Sequence, residues 1–584
     1  MLQKAKFIPV TILFLVLLPL AVKADYLGQK INFFVESSYD LNKREQVSAT
    51  LQRITPQLYF YFDDSWWNSL ESQKKLDIDK VIDSLSSEFQ SKIYPTLTST
   101  FGFEWKPGID KDERITVLLH PMIKEGGGYF QSGNEYPRLQ VPRSNEREML
   151  YLNADYVTDP LFKSFLSHEF LHLITFSQKE KIQGTVEEVW LNEARAEYAS
   201  TLLGYDDQYQ GSNLQRRVNI FLEEPTDSIT EWKNEKADYG ALNLFTQYLV
   251  DHYGVKILTD SLKSKETGIK SLNEALVKNG FSENFSQIFV DWTIAVVVND
   301  CDLAPLDSEH LTGVGEKYCY LNKNLNNLRI TPMVNFLPVI GESTLSVSSD
   351  TKDWAGNWYR FVGGKGSLKL TFTGSSWVKF KVPYLIRDIQ GNYKVNFITL
   401  NENQKGEISI LDFGTENIFL TIIPSVQNKI SGFSSDEPSY SFFWSASVIK
   451  NTQEEKEKAE LELVKKLQEQ VVSLQKQIAE VQAKINAILA SRGQKITCST
   501  FERDLYFGMR NNPEVQCLQE FLKSQGSEIY PEGLVTGNFL NATQSAVIRF
   551  QEKYKEEILV PLSLNAGTGY VGLKTRAKIN QLLP

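Results

Sequence analysis

The chain has 584 residues and a formal net charge of −10, with 42% hydrophobic and 23% charged residues. That length is too great for one hydrophobic core and predicts several domains. An acidic balance with no basic stripe argues against nucleic-acid binding, and the apolar content argues against a disordered chain.

In chain order, the first signal is Lys4 and Lys6, an apolar run from Phe7 to Leu20, and the small-residue site Val22-Lys23-Ala24 before Asp25. This reads as a secretory signal peptide over 1–24. Its short length, with Pro9 and Pro19, is unsuited to a permanent membrane span. The cysteines agree with export. There are four, in two local pairs, Cys301/Cys319 and Cys498/Cys517, with no CxxC, so two disulfides are expected. The expected location is secreted or extracytoplasmic.

Residues 25–325 read as mixed α/β and then mainly helical. Arg114–His120 reads as a buried strand, Gly126-Gly127-Gly128-Tyr129-Phe130 as a flexible loop, and Glu148–Asn153 as a second strand. His120 reads as a core or loop histidine, not a ligand. Asp159-Pro160 then marks a helix start, with the acidic cap before proline. That helix carries His168-Glu169-Phe170-Leu171-His172, the single HExxH in a chain with five histidines. Residues four apart share a helix face, so both imidazoles can reach one Zn²⁺, and Glu169 can act as general base toward the attacking water. Ser177–Gly184 reads as a polar connection. A second helix is expected from Thr185, where Glu188 completes a capping box, to near Gly204. It carries Glu193 and Glu197 on one face. A two-histidine zinc site needs a third protein ligand. Glu193 is the candidate, with Glu197 and Asn192 supporting the ligand histidines from outside.

The HExxH helix followed about twenty residues later by Asn192-Glu193, with Glu197 one turn on, resembles the gluzincin metallopeptidases, the thermolysin-like clan. The Trp190-Leu191-Asn192-Glu193 form is similar to the hyicolysin-like secreted peptidases. The resemblance covers roughly residues 110–255. It implies a zincin-like α+β domain, His168, His172 and Glu193 as zinc ligands, and Glu169 as general base. It also implies that the strand at Glu148–Asn153 is a sheet edge able to pair with a protein or peptide substrate. The transition-state histidine of the clan has no counterpart here. Tyr239, at the head of an apolar helix from Ala241 to Val250, is the substitute oxyanion donor, and His252 is its rival. A gluzincin aminopeptidase shares the ligands, but Gly126-Gly127-Gly128 lacks the glutamate that such enzymes carry ahead of the zinc helix.

From 330 to 449 short alternating runs such as Trp358–Val362, Leu368–Phe372 and Phe419–Ile423 predict an all-β sandwich module, a spacer or a binding element. Residues 452–490 form a coiled-coil or stalk helix. Val464, Leu467, Val471, Leu474, Ile478, Val481, Ile485 and Ile488 recur in steps of three and four, which suits a homodimer. Residues 496–584 read as a small helical bundle. Leu518-Gln519, Gly537-Asn538-Phe539, Thr543 and Ala546-Val547 before Phe550-Gln551 resemble the three-helix peptidoglycan-binding domain, and a related phrase recurs at Gly569-Tyr570-Val571 with Thr575. That resemblance implies a cell-wall partner. The expectation is an exported zinc endopeptidase tethered at the wall. The alternative is a non-enzymatic wall-binding protein with a vestigial peptidase fold.

Overall fold

The structure is a computed structural model that describes residues 24–123, 126–303, 317–338, 343–449, a subset of 464–484, Cys498 and 500–583. The chain forms two compact units, one up to Asn451 and one from Thr452. Residues 1–23, the core of the expected signal peptide, lie outside the described residues.

The first unit opens on a six-stranded sheet: β1 (Lys30–Phe34), β2 (Gln46–Ile54), β3 (Leu58–Asp63), β4 (Ile115–His120), β5 (Gly128–Phe130) and β6 (Met149–Asn153), in the order β1-β2-β3-β4-β6-β5. The strands β3, β4 and β6 are parallel and buried on both faces, which is why they read as continuous apolar runs. One sheet face, with Phe60, Phe62, Val117, Leu119, Leu150 and Leu152, packs into the main helical core. The other carries Tyr59, Tyr61, Leu118 and Tyr151 into a smaller core with Phe33 and Val47.

The edge of the sheet corrects the sequence reading. The strand β6 is interior, paired with β4 and β5, and the edge is the three-residue β5, antiparallel to β6. Part of the expected flexible loop is therefore a strand. Its glycines are required by close approach. A Cβ on Gly127 would sit 2.7 Å from the Phe165 ring, and one on Gly128 would sit 2.7 Å from the Tyr151 carbonyl and 2.9 Å from Glu169 Cγ.

The helices are α1 (Asp64–Ser69), α2 (Ser72–Glu88), α3 (Tyr94–Phe101), α4 (Phe162–Phe176), α5 (Val189–Leu202), α6 (Asn213–Glu223), α7 (Lys236–Tyr253), α8 (Lys256–Leu262), α9 (Gly268–Lys278) and α10 (Phe285–Val298). Asp159 acts one turn ahead of α4, its carboxylate accepting from Leu161 N–H at 2.8 Å. Ser177–Gln183, expected to be a loop, continues α4 as a wider helical turn and stops at Gly184, whose φ is +71°. The helix α5 starts at Val189 rather than Thr185. Glu188 forms no capping box, because its carboxylate accepts from Trp190 Nε1 (2.6 Å) and Gly432 N–H (2.8 Å).

The β-rich segment forms one nearly closed, barrel-like sheet. One run of strands is Met333–Leu337, Tyr359–Gly363, Asn417–Ile422, Pro383–Asp388 and Tyr393–Phe397. The other is Lys405–Phe413, Gly366–Gly374, Tyr440–Ile449 and Ser343–Thr351. The two runs meet at a single parallel bridge, Phe413 to Asn417. This sheet is packed into the helical lobe. Trp354 stacks edge-on against Phe285 and Phe289, and Trp358 Nε1 donates to the Thr293 carbonyl at 2.9 Å. Truncating either buried tryptophan would cost about 3–5 kcal/mol, so the sheet is structurally continuous with the helices it follows. Cys301–Cys319 is a disulfide in this unit.

In the second unit, Val464, Leu467, Val471, Leu474, Ile478 and Val481 are helical and half-exposed; the flanks of the heptad segment, including Ile485 and Ile488, lie outside the described residues. The terminal bundle has helices Pro513–Ser524, Asn541–Lys553 and Leu573–Leu582 and the disulfide Cys498–Cys517. Its recurring phrase is a structural repeat. Gln519 Oε1 accepts from Thr536 and Gly537 N–H (2.7 and 2.9 Å), and its Nε2 donates to the Asn538 carbonyl (2.9 Å) and Thr543 Oγ1 (2.8 Å). Gln551 repeats this with Thr568, Gly569, Tyr570 and Thr575. Each buried glutamine ties a glycine turn to the next helix, so the recurring phrase is a core device.

Candidate metal centre

His168, Glu169 and His172 lie on α4, and Asn192, Glu193 and Glu197 on α5, which packs against it. His168 Nε2 is 3.1 Å from His172 Nε2 and 3.2 Å from Glu193 Oε2; His172 Nε2 is 3.6 Å from Glu193 Oε1. Among the described residues this is the one set of three His, Cys or acidic side chains whose donor atoms all lie within 4.8 Å of one another.

The tautomers follow from the outer partners. His172 Nδ1 faces Asn192 Oδ1 at 3.0 Å, and His168 Nδ1 faces Glu197 Oε1 at 3.4 Å. Both partners are acceptors, so each imidazole carries its proton on Nδ1 and turns the Nε2 lone pair inward. Glu193 Oε2 has no hydrogen-bond partner of its own. Three lone-pair-bearing atoms held this close need a positive charge between them, a proton or a metal ion: burial alone would lower the His172 pKa, but the Glu193 carboxylate overrides this and raises it to about 9. Two imidazole nitrogens and one carboxylate are a donor set that fits Zn²⁺.

Glu197 is itself firmly held. Arg217 on α6 pairs with it through two bonds, Nε to Oε2 at 2.7 Å and Nη2 to Oε1 at 2.6 Å, and Asn213 and Asn243 donate to Oε2 at 3.1 and 3.2 Å. Burial alone would raise the Glu197 pKa; the Arg217 guanidinium overrides this and brings it down to about 2. Glu197 therefore stays anionic beside His168 Nδ1. Arg217, Asn213 and Asn243 escaped the sequence reading because they lie on two other helices with no motif spacing to α5.

Glu169 sits beside the set, buried against Gly128 of β5. Burial raises its pKa, and the opposing pull of the two histidines does not cancel the effect. A raised carboxylate is a better proton acceptor than an ordinary one. It opens on a cleft of about 810 Å³ lined by Tyr39, Gly126–Gly128, Phe165, His168, Glu197, Arg216, Arg217 and Tyr239 among others.

The two oxyanion candidates separate clearly. Tyr239 lines this cleft, with its ring 4.3 Å from the Arg217 guanidinium. His252 lies thirteen residues further along α7, about 20 Å away by helix rise, and its Nε2 donates to the Cys319 carbonyl at 2.9 Å. That removes His252 as the rival: it ties the end of α7 to the disulfide loop. His120 is also elsewhere, its Nδ1 3.2 Å from Asp40 Oδ2 in the sheet core.

No protein-family model matches the chain, and no curated protein does. Among solved structures, the pre-peptidase C-terminal domain of collagenase from Bacillus anthracis matches at 9% identity, covering 20% of this chain and 96% of that domain, with a TM-score of 0.13. The periplasmic lysozyme inhibitor PliG from Aeromonas hydrophila matches at 10% identity over 20% of this chain and 98% of that one, TM-score 0.13. A family GH115 4-O-methyl-α-glucuronidase matches at 7% identity over 59% of this chain and 53% of that one, TM-score 0.12. Likenesses at this level carry no argument about fold or activity.

Proposed function

We propose that this chain is an exported zinc-dependent endopeptidase, held at the cell wall by its C-terminal bundle. One observation carries the reading: Asn192 and Glu197 fix both histidine tautomers so that His168, His172 and Glu193 aim their lone pairs at one point beside a buried carboxylate. His168, His172 and Glu193 would hold Zn²⁺, which when bound supplies Lewis-acid polarisation of a carbonyl and acidifies water. Glu169 takes the proton of the attacking water and later gives it to the leaving amine nitrogen. The open side of β5 offers main-chain groups to an extended substrate, which would add as a further strand beside Glu169. The two disulfides suit an oxidising compartment. Wall attachment rests on the resemblance of residues 496–584 to peptidoglycan-binding domains.

The test is metal content with cleavage of casein, set against digestion of and retention on purified peptidoglycan. The expected result is one zinc per chain, casein cleavage lost in Glu169→Gln with zinc retained, and retention on peptidoglycan. Absence of zinc and of cleavage, with peptidoglycan retention intact, would establish the non-enzymatic wall-binding alternative.

A further inference from the structure

The Tyr239 hydroxyl points away from the role the sequence suggested for it. It donates to Asn234 Oδ1 at 3.0 Å, and Asn234 Nδ2 donates in turn to the hydroxyl of Tyr39 at 2.8 Å. Each tyrosine has one proton. That of Tyr239 is committed to Asn234. That of Tyr39 is not needed for the bond it makes, because there Tyr39 is the acceptor. Tyr39 lines the same cleft as His168 and Glu169 and lies close enough to feel the charges of Glu169 and Glu193.

Tyr39 is also held in place from several sides. Its ring stacks on Tyr129 of β5 (5.0 Å between centroids, 16° between planes), and Tyr129 stacks on Tyr151 of β6 (4.2 Å, 9°). Its carbonyl accepts from Ile123 N–H at 3.0 Å, and its neighbour Asp40 is clamped by Arg44 and His120. Asn234 sits immediately before the capping box of α7 with φ at +62°, a left-handed conformation that few non-glycine residues adopt. Such a conformation persists where its surroundings over-determine it, and here it carries the amide between two hydroxyls.

Resting on the peptidase reading, we infer that Tyr39 supplies the hydrogen bond to the carbonyl oxygen of the scissile bond, that Asn234 is the positioning residue, and that Tyr239 anchors Asn234. As water adds to the carbonyl carbon, a C–O bond forms, the carbonyl π pair moves onto oxygen, and Glu169 takes the water proton. The Tyr39 O–H stabilises the charge on that oxygen until the C–N bond breaks and the proton passes to nitrogen. A donor from the strand lobe thus meets a general base on α4, and the Tyr39–Asn234 bond spans the cleft between them.

The orientation of the Asn234 amide decides which tyrosine keeps its proton, and two variants separate the cases. Cleavage sites are first mapped in casein with the wild-type enzyme, and one site is made as a quenched peptide and as its phosphinic analogue. For Tyr39→Phe, kcat should fall about 10²–10³-fold, the effect of losing one oxyanion donor, with KM within about twofold. Calorimetry should show the phosphinic peptide bound weaker by a similar factor, with one zinc per chain retained. Tyr239→Phe should cost only about tenfold, through a loosened Asn234. A Tyr39→Phe enzyme within threefold of wild type in kcat and in phosphinic-peptide affinity overturns the assignment, as does a larger loss in Tyr239→Phe. Zinc-loaded wild type that cleaves nothing overturns the peptidase reading itself, and this assignment with it.

Discussion

Among the described residues of the first unit, two groups of buried carboxylates contrast: one resembles a site and the other does not. Glu193 and Glu197 face two imidazoles, a guanidinium and two asparagine amides. Asp110, Glu135 and Glu148 face mostly each other. Glu148 accepts from Ile109 N–H at 2.6 Å and Asp110 from Asp112 N–H at 2.9 Å, while the Glu135 carboxyl faces that of Glu148. The nearby Lys181 donates to the Glu135 backbone carbonyl instead. Burial therefore pushes Glu135 well above the ordinary carboxylate range and Glu148 up to about 7, and the pair holds a proton between them. Acidity and burial alone store a proton. Convergent lone pairs of mixed type, each fixed by an outer partner, make a place for a cation.

The difference can be broken or sharpened by mutation. The largest effect expected is Glu169→Gln, which should lower kcat by about 10³-fold without loss of zinc. Glu148→Gln should leave turnover within twofold, and equal losses in the two variants would erase the contrast. Next is Arg217→Met, which leaves Glu197 buried without its guanidinium and should cost about 3–5 kcal/mol in urea unfolding. Glu135→Gln, which removes a buried acid that no cation faces, should be neutral or stabilising in the same measurement. Asn192→Ala should weaken zinc binding about 10–100-fold in competition with a chelator, because the His172 tautomer is no longer fixed.

The smallest effect is on pH dependence. The folded-state pKa of Glu148 is raised, so between about pH 4.5 and 7 the folded chain keeps a proton that the unfolded chain has lost. Stability should fall as pH rises through that window. Urea unfolding at pH 4.5, 6 and 7.5 should show this decline in the wild type and a flatter profile in Glu148→Gln. A wild-type profile that rises across the window would contradict the proton-sharing account.

The parts of the centre that could be read along the chain are those set by helix periodicity. His168 and His172, and Glu193 and Glu197, are four apart, and a helix puts such pairs on one face whatever else it packs against. The strands β3, β4 and β6 were legible for a similar reason, because burial on both faces leaves an unbroken apolar run. β5 was not, since three residues following a glycine run have no alternation to detect, and the edge of the sheet was assigned to β6 as a result. Helix starts at Thr185 and the loop at Ser177–Gly184 were misplaced because long-range partners, Gly432 for Glu188 among them, outweighed local capping.

The sequence by itself determined the His168/His172 and Glu193/Glu197 pairings on their helices, the place of Glu169 between the histidines, the two cysteine pairings and the heptad stripe, all features of local spacing. Tertiary structure decided everything that depends on chain segments meeting across the fold. It brought Arg217, Asn213 and Asn243 to Glu197, carried His252 to the far end of α7, seated the barrel-like sheet against α10, and placed Tyr39 and Asn234, 195 residues apart, on one hydrogen bond. The reason is physical. Helix and strand periods are fixed by backbone geometry over a few residues, whereas the partner that fixes a tautomer or holds a hydroxyl is chosen by packing, which no local pattern encodes.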